Sequence, residues 1–191
     1  RAVGPVTVRR LVLDECDMAL ARADHVHTTG REATLAVLFS DIRGFTPFAE
    51  MHLPYDVVHI LNRYFHRMGE AVLRHGGHID KYIGDGLMAL FGLDGDDPRD
   101  ACDRAVRAAL DMLAELPALN DYLRQNFDAQ LKIGIGIHVG EVIVADLGHP
   151  KVMQFTAIGD TVNVASRIES ATKAGDAPLL VSSAVADLLG D

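Results

Sequence analysis

The order of apolar patterns along the chain predicts an α+β domain, a mainly antiparallel sheet covered by helices. Three observations carry this. An apolar run, Leu35 to Phe39, has the length and composition of a buried strand. Two segments carry hairpin signals, "HIDKYIGDGLMALFG" around Gly84-Asp85-Gly86 and "LKIGIGIHVGEVIVADLG" with its alternating apolar positions. Helical periodicities are interspersed with these strands.

Each element follows in order. Residues 1–30 predict a short amphipathic helix in "VRRLVLDECDMALARAD" and a polar linker in "HVHTTGRE", with the main domain spanning 31–191. The first strand is expected over about 34–40, and a helix start near Thr46. In "YDVVHILNRYFHRMGEAVLRHGG" a helical face gathers Val57, Leu61, Tyr64, Phe65, Met68 and Val72. Pro54 suits its first turn and Gly76 its C-terminal end. The first hairpin comes next, then a second amphipathic helix over "DPRDACDRAVRAALDMLAEL", starting near Pro98. "LKIGIGIHVGEVIVADLG" predicts strand, turn, strand, and "HPKVMQFTAIG" a short excursion and one more strand. "DTVNVASRIESATKAG" predicts a helix capped by Asp160, with Gly175 after its end. "APLLVSSAVADLLGD" predicts a strand and a last helix.

Composition narrows the function classes. The 191 residues suffice for one domain with a real core. The net charge of -9 argues against a nucleic-acid partner, which needs a basic face. It leaves a small anionic ligand open, because a metal ion or local cluster can reverse the sign at a site. Cys16 and Cys102, far apart, suit a reduced, cytoplasmic compartment rather than a disulfide scaffold. No apolar run approaches the roughly 18 residues of a membrane span, so no membrane contact is expected within this segment. The chain begins at Arg1 without a signal-peptide pattern, which predicts a piece of a longer protein with a regulatory or anchoring region upstream.

The chemistry begins at Asp41, where the apolar run stops. Asp85 occupies the tip of the hairpin expected to pair beside it. Two carboxylates converging on a rigid sheet repel unless a cation lies between them, and a hard divalent ion with oxygen ligands is the usual solution. The Ile42 carbonyl could serve as a further hard ligand. The loop Arg43, Gly44, Phe45 and Thr46 can turn sharply at its glycine and offer amide N–H groups to phosphate oxygens. Taken singly, Asp41 reads better as a helix cap and Asp85 as a plain hairpin-turn residue; together, with the loop between them, they point to a site. His75 and His78 read as turn residues around the glycine pair, and Met68 and Met112 as core. "GIGIHVG" lacks the dinucleotide-binding spacing. The echo between "YIGDG" and "AIGDT" reads as shared turn chemistry.

Four segments, "VLFSDIRGFT" (37–46), "GGHIDKYIGDGLMALFG" (76–92), "IGIGIHVGEVIVADLG" (133–148) and "FTAIGDTVNVASRIE" (155–169), resemble the class III adenylate and guanylate cyclase catalytic domain. The resemblance covers most of 33–185. It implies a ferredoxin-like, palm-type sheet with extra strands. It implies that Asp41 and Asp85, with the Ile42 carbonyl, bind two divalent cations, Mg or Mn. Lys81 and Thr156 then read the base, with Ala157 beside them, Asn163 orients the ribose, and Arg167 stabilises charge at the reacting phosphate. It further implies that one chain of a homodimer supplies the aspartates and the other supplies Lys81, Thr156, Asn163 and Arg167.

The residue chemistry agrees with an adenine ligand. Lys81 can donate to adenine N1 and Thr156 can accept from the 6-amine, whereas guanine reverses that pattern. Guanylate cyclases of the family carry Glu and Cys at these positions. The implied reaction turns ATP into cyclic AMP and pyrophosphate. Guanylate cyclase and a nucleotide-binding regulatory domain are the alternatives; the absence of "GGDEF" weighs against a diguanylate cyclase. The threonine subgroup is often associated with bicarbonate responsiveness. Two departures are noted. Glu141 follows Gly140 where some relatives have arginine, and the chain stops at Asp191, before the family's C-terminal hairpin with its phosphate-binding lysine.

Overall fold

The computed structural model describes residues 30–175 and 177–190. The helix and linker expected over 1–29, with Cys16, lie outside the described residues, as does Asp191. The described elements run β1 (Arg31–Ile42), α1 (Phe45–Met51), α2 (Pro54–Arg74), β2 (His78–Ile83), β3 (Gly86–Phe91), α3 (Pro98–Phe127), β4 (Ile133–His149), β5 (Val152–Ile158), α4 (Asp160–Gly175), β6 (Leu179–Val181) and α5 (Ser183–Leu189). The sheet order is β2-β3-β1-β4-β5, all antiparallel, with β6 added in parallel to β4. The expected α+β architecture is present.

Alternation along β1 sorts the layers. Ala36, Leu38 and Ile42 face a core shared with Ile60, Tyr64 and Met68 of α2 and Cys102, Ala105 and Met112 of α3. Leu35 and Val37 face the other side, with Met88, Leu90, Val142, Val144 and Ala165 of α4. The first core is much the larger. Met68 and Met112 are fully buried in it, as the sequence predicts.

Three expectations change. The segment read as strand, turn, strand is one 17-residue strand, β4. Its alternating glycines mark close packing rather than a bend. A Cβ on Gly136 would lie 2.1 Å from the Glu169 backbone nitrogen of α4, and one on Gly140 2.6 Å from Thr161 Oγ1. The turn comes later, between β4 and β5. Second, α3 does not stop before Pro117 but runs through it to Phe127. Leu119 and Leu123 are fully buried, and the Asn120 side chain donates to the Leu131 carbonyl and accepts from its N–H, at 2.9 and 2.8 Å. These tertiary contacts outweigh the proline's lost helical hydrogen bond. Third, β1 reaches from Arg31 to Ile42, longer than 34–40 at both ends, because β4 pairs along all of it. At finer scale, Asp160 is the first residue of α4 and Gly175 its last.

The two histidines have structural contacts. His75 closes α2 and its Nε2 lies 2.8 Å from Asp111 Oδ2 on α3. His78 stands edge-on to Phe155, with ring centroids 5.7 Å apart. Among the described residues no helix is long and apolar enough to cross a membrane.

Candidate functional site

Asp41 stands at the end of β1 and Asp85 in the turn between β2 and β3. β3 is antiparallel to β1 with Ser40 opposite Leu87, which brings that turn against the end of β1. The two carboxylates meet at one amide. The Ile42 N–H lies 3.1 Å from Asp41 Oδ1 and 3.2 Å from Asp85 Oδ2. Burial, a hydrogen bond that the protonated Asp85 carboxyl donates to Asp41, and the Asp41 charge push the Asp85 carboxyl up to about 6. Lys173 of α4 approaches from the other side, its Nζ 3.4 Å from Asp41 Oδ2. The pair is thus an under-neutralised acidic site, of a chemistry that suits a hard divalent cation. Among the described residues no group of three or more acidic, histidine or cysteine side chains forms a metal cage. Two carboxylates would need further oxygens, which the phosphates of a nucleotide can supply.

The loop after Asp41 divides. Gly44 adopts a left-handed conformation, φ 67°, and caps α1 without any side-chain hydrogen bond. Phe45 and Thr46 open that helix. Arg43 points elsewhere: its guanidinium donates to the carbonyls of Thr172 and Ala177, at 3.0 and 2.7 Å, and its N–H to Lys132.

A second cluster forms where the two ends of the sheet touch. Lys81 of β2 donates to Thr156 Oγ1 of β5 at 2.9 Å, across 75 positions of sequence. The residue between Ile79 and Lys81, Asp80, went unnoticed in the sequence. Its carboxylate is wholly buried, accepts from Thr156 Oγ1 at 3.0 Å and lies 3.2 Å from Lys81 Nζ. A β-bulge at this point brings the neighbours Asp80 and Lys81 to one hydroxyl, which strict strand alternation would prevent. Ala157, next to Thr156, packs its side chain into the smaller core and lies opposite Val144 of β4.

Asn163 and Arg167 lie one turn apart on the exposed face of α4, opposite the buried stripe Thr161, Ala165, Glu169 and Thr172. Glu169, which the sequence offers only as a surface partner for Arg167, is instead buried. Burial first, then the Asp41 charge, raise its carboxyl above the ordinary range, while Lys173 pulls it down. Neither Asp80 nor Glu169 carries a sequence signal of its own, since a buried carboxylate looks like any surface acid until its neighbours are known.

Residues 28–191 match the family described as the adenylate and guanylate cyclase catalytic domain. The chain is 40% identical over 155 residues to an adenylate cyclase of Anabaena cylindrica, covering 79% of this chain. It spans only 30% of that relative's length. Two solved structures superpose with a TM-score of 0.78 at 34% identity. One is the guanylyl cyclase Cya2, covering 85% of this chain and 81% of that one; the other is the adenylyl cyclase CyaB from P. aeruginosa, covering 84% and 82%.

Proposed function

The chain belongs to the adenylate and guanylate cyclase catalytic-domain family, and from that premise we propose that it converts ATP to 3′,5′-cyclic AMP and pyrophosphate. The observation that carries the proposal is the meeting of Asp41 and Asp85 at the Ile42 amide. Asp41, Asp85 and the Ile42 carbonyl would hold two divalent ions, Mg or Mn. Bound there, such ions acidify the ribose 3′-hydroxyl and neutralise the triphosphate. The 3′-hydroxyl loses its proton to solvent, and its oxygen forms a bond to the α-phosphorus as the bond to the bridging oxygen of pyrophosphate breaks.

The chain's own residues position the substrate. Lys81 and Thr156 read the base. Asn163 holds the ribose, and the permanently charged Arg167 fork stabilises negative charge on the α-phosphate. Gly44, Phe45 and Thr46 offer loop amides to the phosphates. Arg43 serves the site indirectly, by tying the loop to the C-terminal end of α4.

The site is shared across a homodimer in this reading, one chain giving the aspartates and its partner the base, ribose and phosphate groups. Exposed apolar side chains on the β4–β5 hairpin, Leu147, Val152, Met153 and Phe155, support a partner surface there. The domain works in the cytoplasm, under control of flanking regions of a longer protein. Equal likeness to a guanylyl and an adenylyl cyclase structure keeps guanylate cyclase as the second reading. Lys81 and Thr156 favour adenine.

Incubation with ATP or GTP and Mn²⁺ tests this, with cyclic products measured beside Asp41→Ala. Cyclic AMP that disappears in the variant supports the proposal. Predominant cyclic GMP would support the second reading, and nucleotide binding without turnover a regulatory domain.

A further inference from the structure

The hydrogen-bond valences of the Lys81 cluster can be counted atom by atom. Thr156 Oγ1 has one hydrogen and two lone pairs. Its hydrogen goes to Asp80 Oδ2, the acceptor 3.0 Å away. One lone pair accepts from Lys81 Nζ. One lone pair remains. Toward a ligand, this hydroxyl is therefore an acceptor and nothing else. Lys81 has three hydrogens; one goes to Thr156, and the ammonium is ion-paired with Asp80 at 3.2 Å. A further hydrogen is left to donate. One donor beside one acceptor matches the N1 and 6-amine edge of adenine. It mismatches the N1–H and O6 of guanine at both positions.

Without Asp80 this polarity would be undefined. A free threonine hydroxyl can rotate and donate to O6 as readily as it accepts from an amine. The cost of Asp80 also argues for a task. It is a fully buried carboxylate, and its Oδ1 has no hydrogen-bond partner. A buried orphan oxygen is unfavourable, and an apolar residue of similar size would fill the space without it. The bulge that carries it interrupts the β2–β3 ladder as well.

We propose that Asp80 is a positioning residue for base specificity, fixing the Thr156 hydroxyl as an acceptor so that the pocket takes adenine and rejects guanine nucleotides. It acts through Thr156 and touches no substrate atom. The inference rests on the reading of Lys81 and Thr156 as the base-contacting pair.

The test is the ATP:GTP ratio of kcat/KM with Mn²⁺, together with the ratio of affinities for non-cyclisable ATP and GTP analogues. Both are taken within one preparation, so the fraction of folded protein cancels. Asp80→Leu lowers the ratio about tenfold, the scale of one hydrogen bond, chiefly by raising the use of GTP. Asp80→Ala does the same, and carries the test if the leucine variant does not fold. Asp80→Asn keeps most of the ratio, because its amide oxygen still accepts. Thr156→Val lowers the ratio by weakening ATP, and adding Asp80→Leu to it changes the ratio no further. If Thr156→Val lowers the ratio while both Asp80 deletions reduce ATP and GTP use equally, Asp80 is merely structural and the inference fails alone. If Thr156→Val leaves the ratio unchanged, the base-reading assignment fails, and the inference with it.

Discussion

Asp85, whose carboxylate is proposed to hold a divalent ion, costs the fold stability when it is charged. Its carboxyl titrates near 6 in the folded chain, against an ordinary value of 3.8, so the folded state holds its proton the more tightly. Between those values the folded chain binds more protons than the unfolded chain, and stability falls as pH rises through the window. Above about 6 the penalty is complete; below about 4 it is absent. Asp85→Asn is therefore expected to raise the melting temperature at pH 7 to 8 without divalent ions, with the gain vanishing below about pH 4. Thermal melts across pH check this. Added Mn²⁺ should raise the wild-type melting temperature and leave the variant nearly unmoved. Cyclic AMP formation should fall about 10²–10³-fold in the same variant, the usual scale for losing one electrostatic element of a site. Asp85 was legible in the sequence through its hairpin turn, and Asp41 through the apolar run it interrupts, because both leave strong local marks. Asp80 was not, because a bulge depends on how two strands pair.

At the scale of elements, β4 and α4 set the geometry. The isoleucines of "IGIGI" fill the large core while the glycines between them let α4 lie directly on the strand. Gly136→Ala would drive a methyl group into the Glu169 backbone, which cannot step aside. Denaturant unfolding should register a loss of about 1–3 kcal/mol or more. Activity should fall as well, since α4 carries Asn163, Arg167 and Lys173. Asn120→Ala should cost about 1–3 kcal/mol by the same measurement, since it leaves both backbone groups of Leu131 without their buried partner. The glycines explain why the sequence reading inserted a turn into β4: locally, a glycine that breaks a strand and one that admits a helix look alike. The end of α3 was misread for a related reason. Pro117 is a local stop signal, and the contacts that override it come from Leu131, beyond the helix.

At the scale of the molecule, the strand order is set by pairing between distant segments, while the α+β class and the approach of Asp41 to Asp85 followed from hydrophobic period and turn chemistry. The contact between β2 and β5 did not, since it joins opposite ends of the sheet order and depends on how the whole sheet folds back on itself. In the proposed site, one chain's carboxylate pair works with its partner's Arg167. Mixing two inactive variants, Asp41→Ala and Arg167→Ala, tests it most directly, with cyclic AMP read from ATP and Mn²⁺ and mixed dimers verified by differential tags. Random pairing places one intact site in half of the dimers, so activity should return to about a quarter of the wild-type level. A mixture that forms mixed dimers and stays as inactive as either parent would contradict the claim.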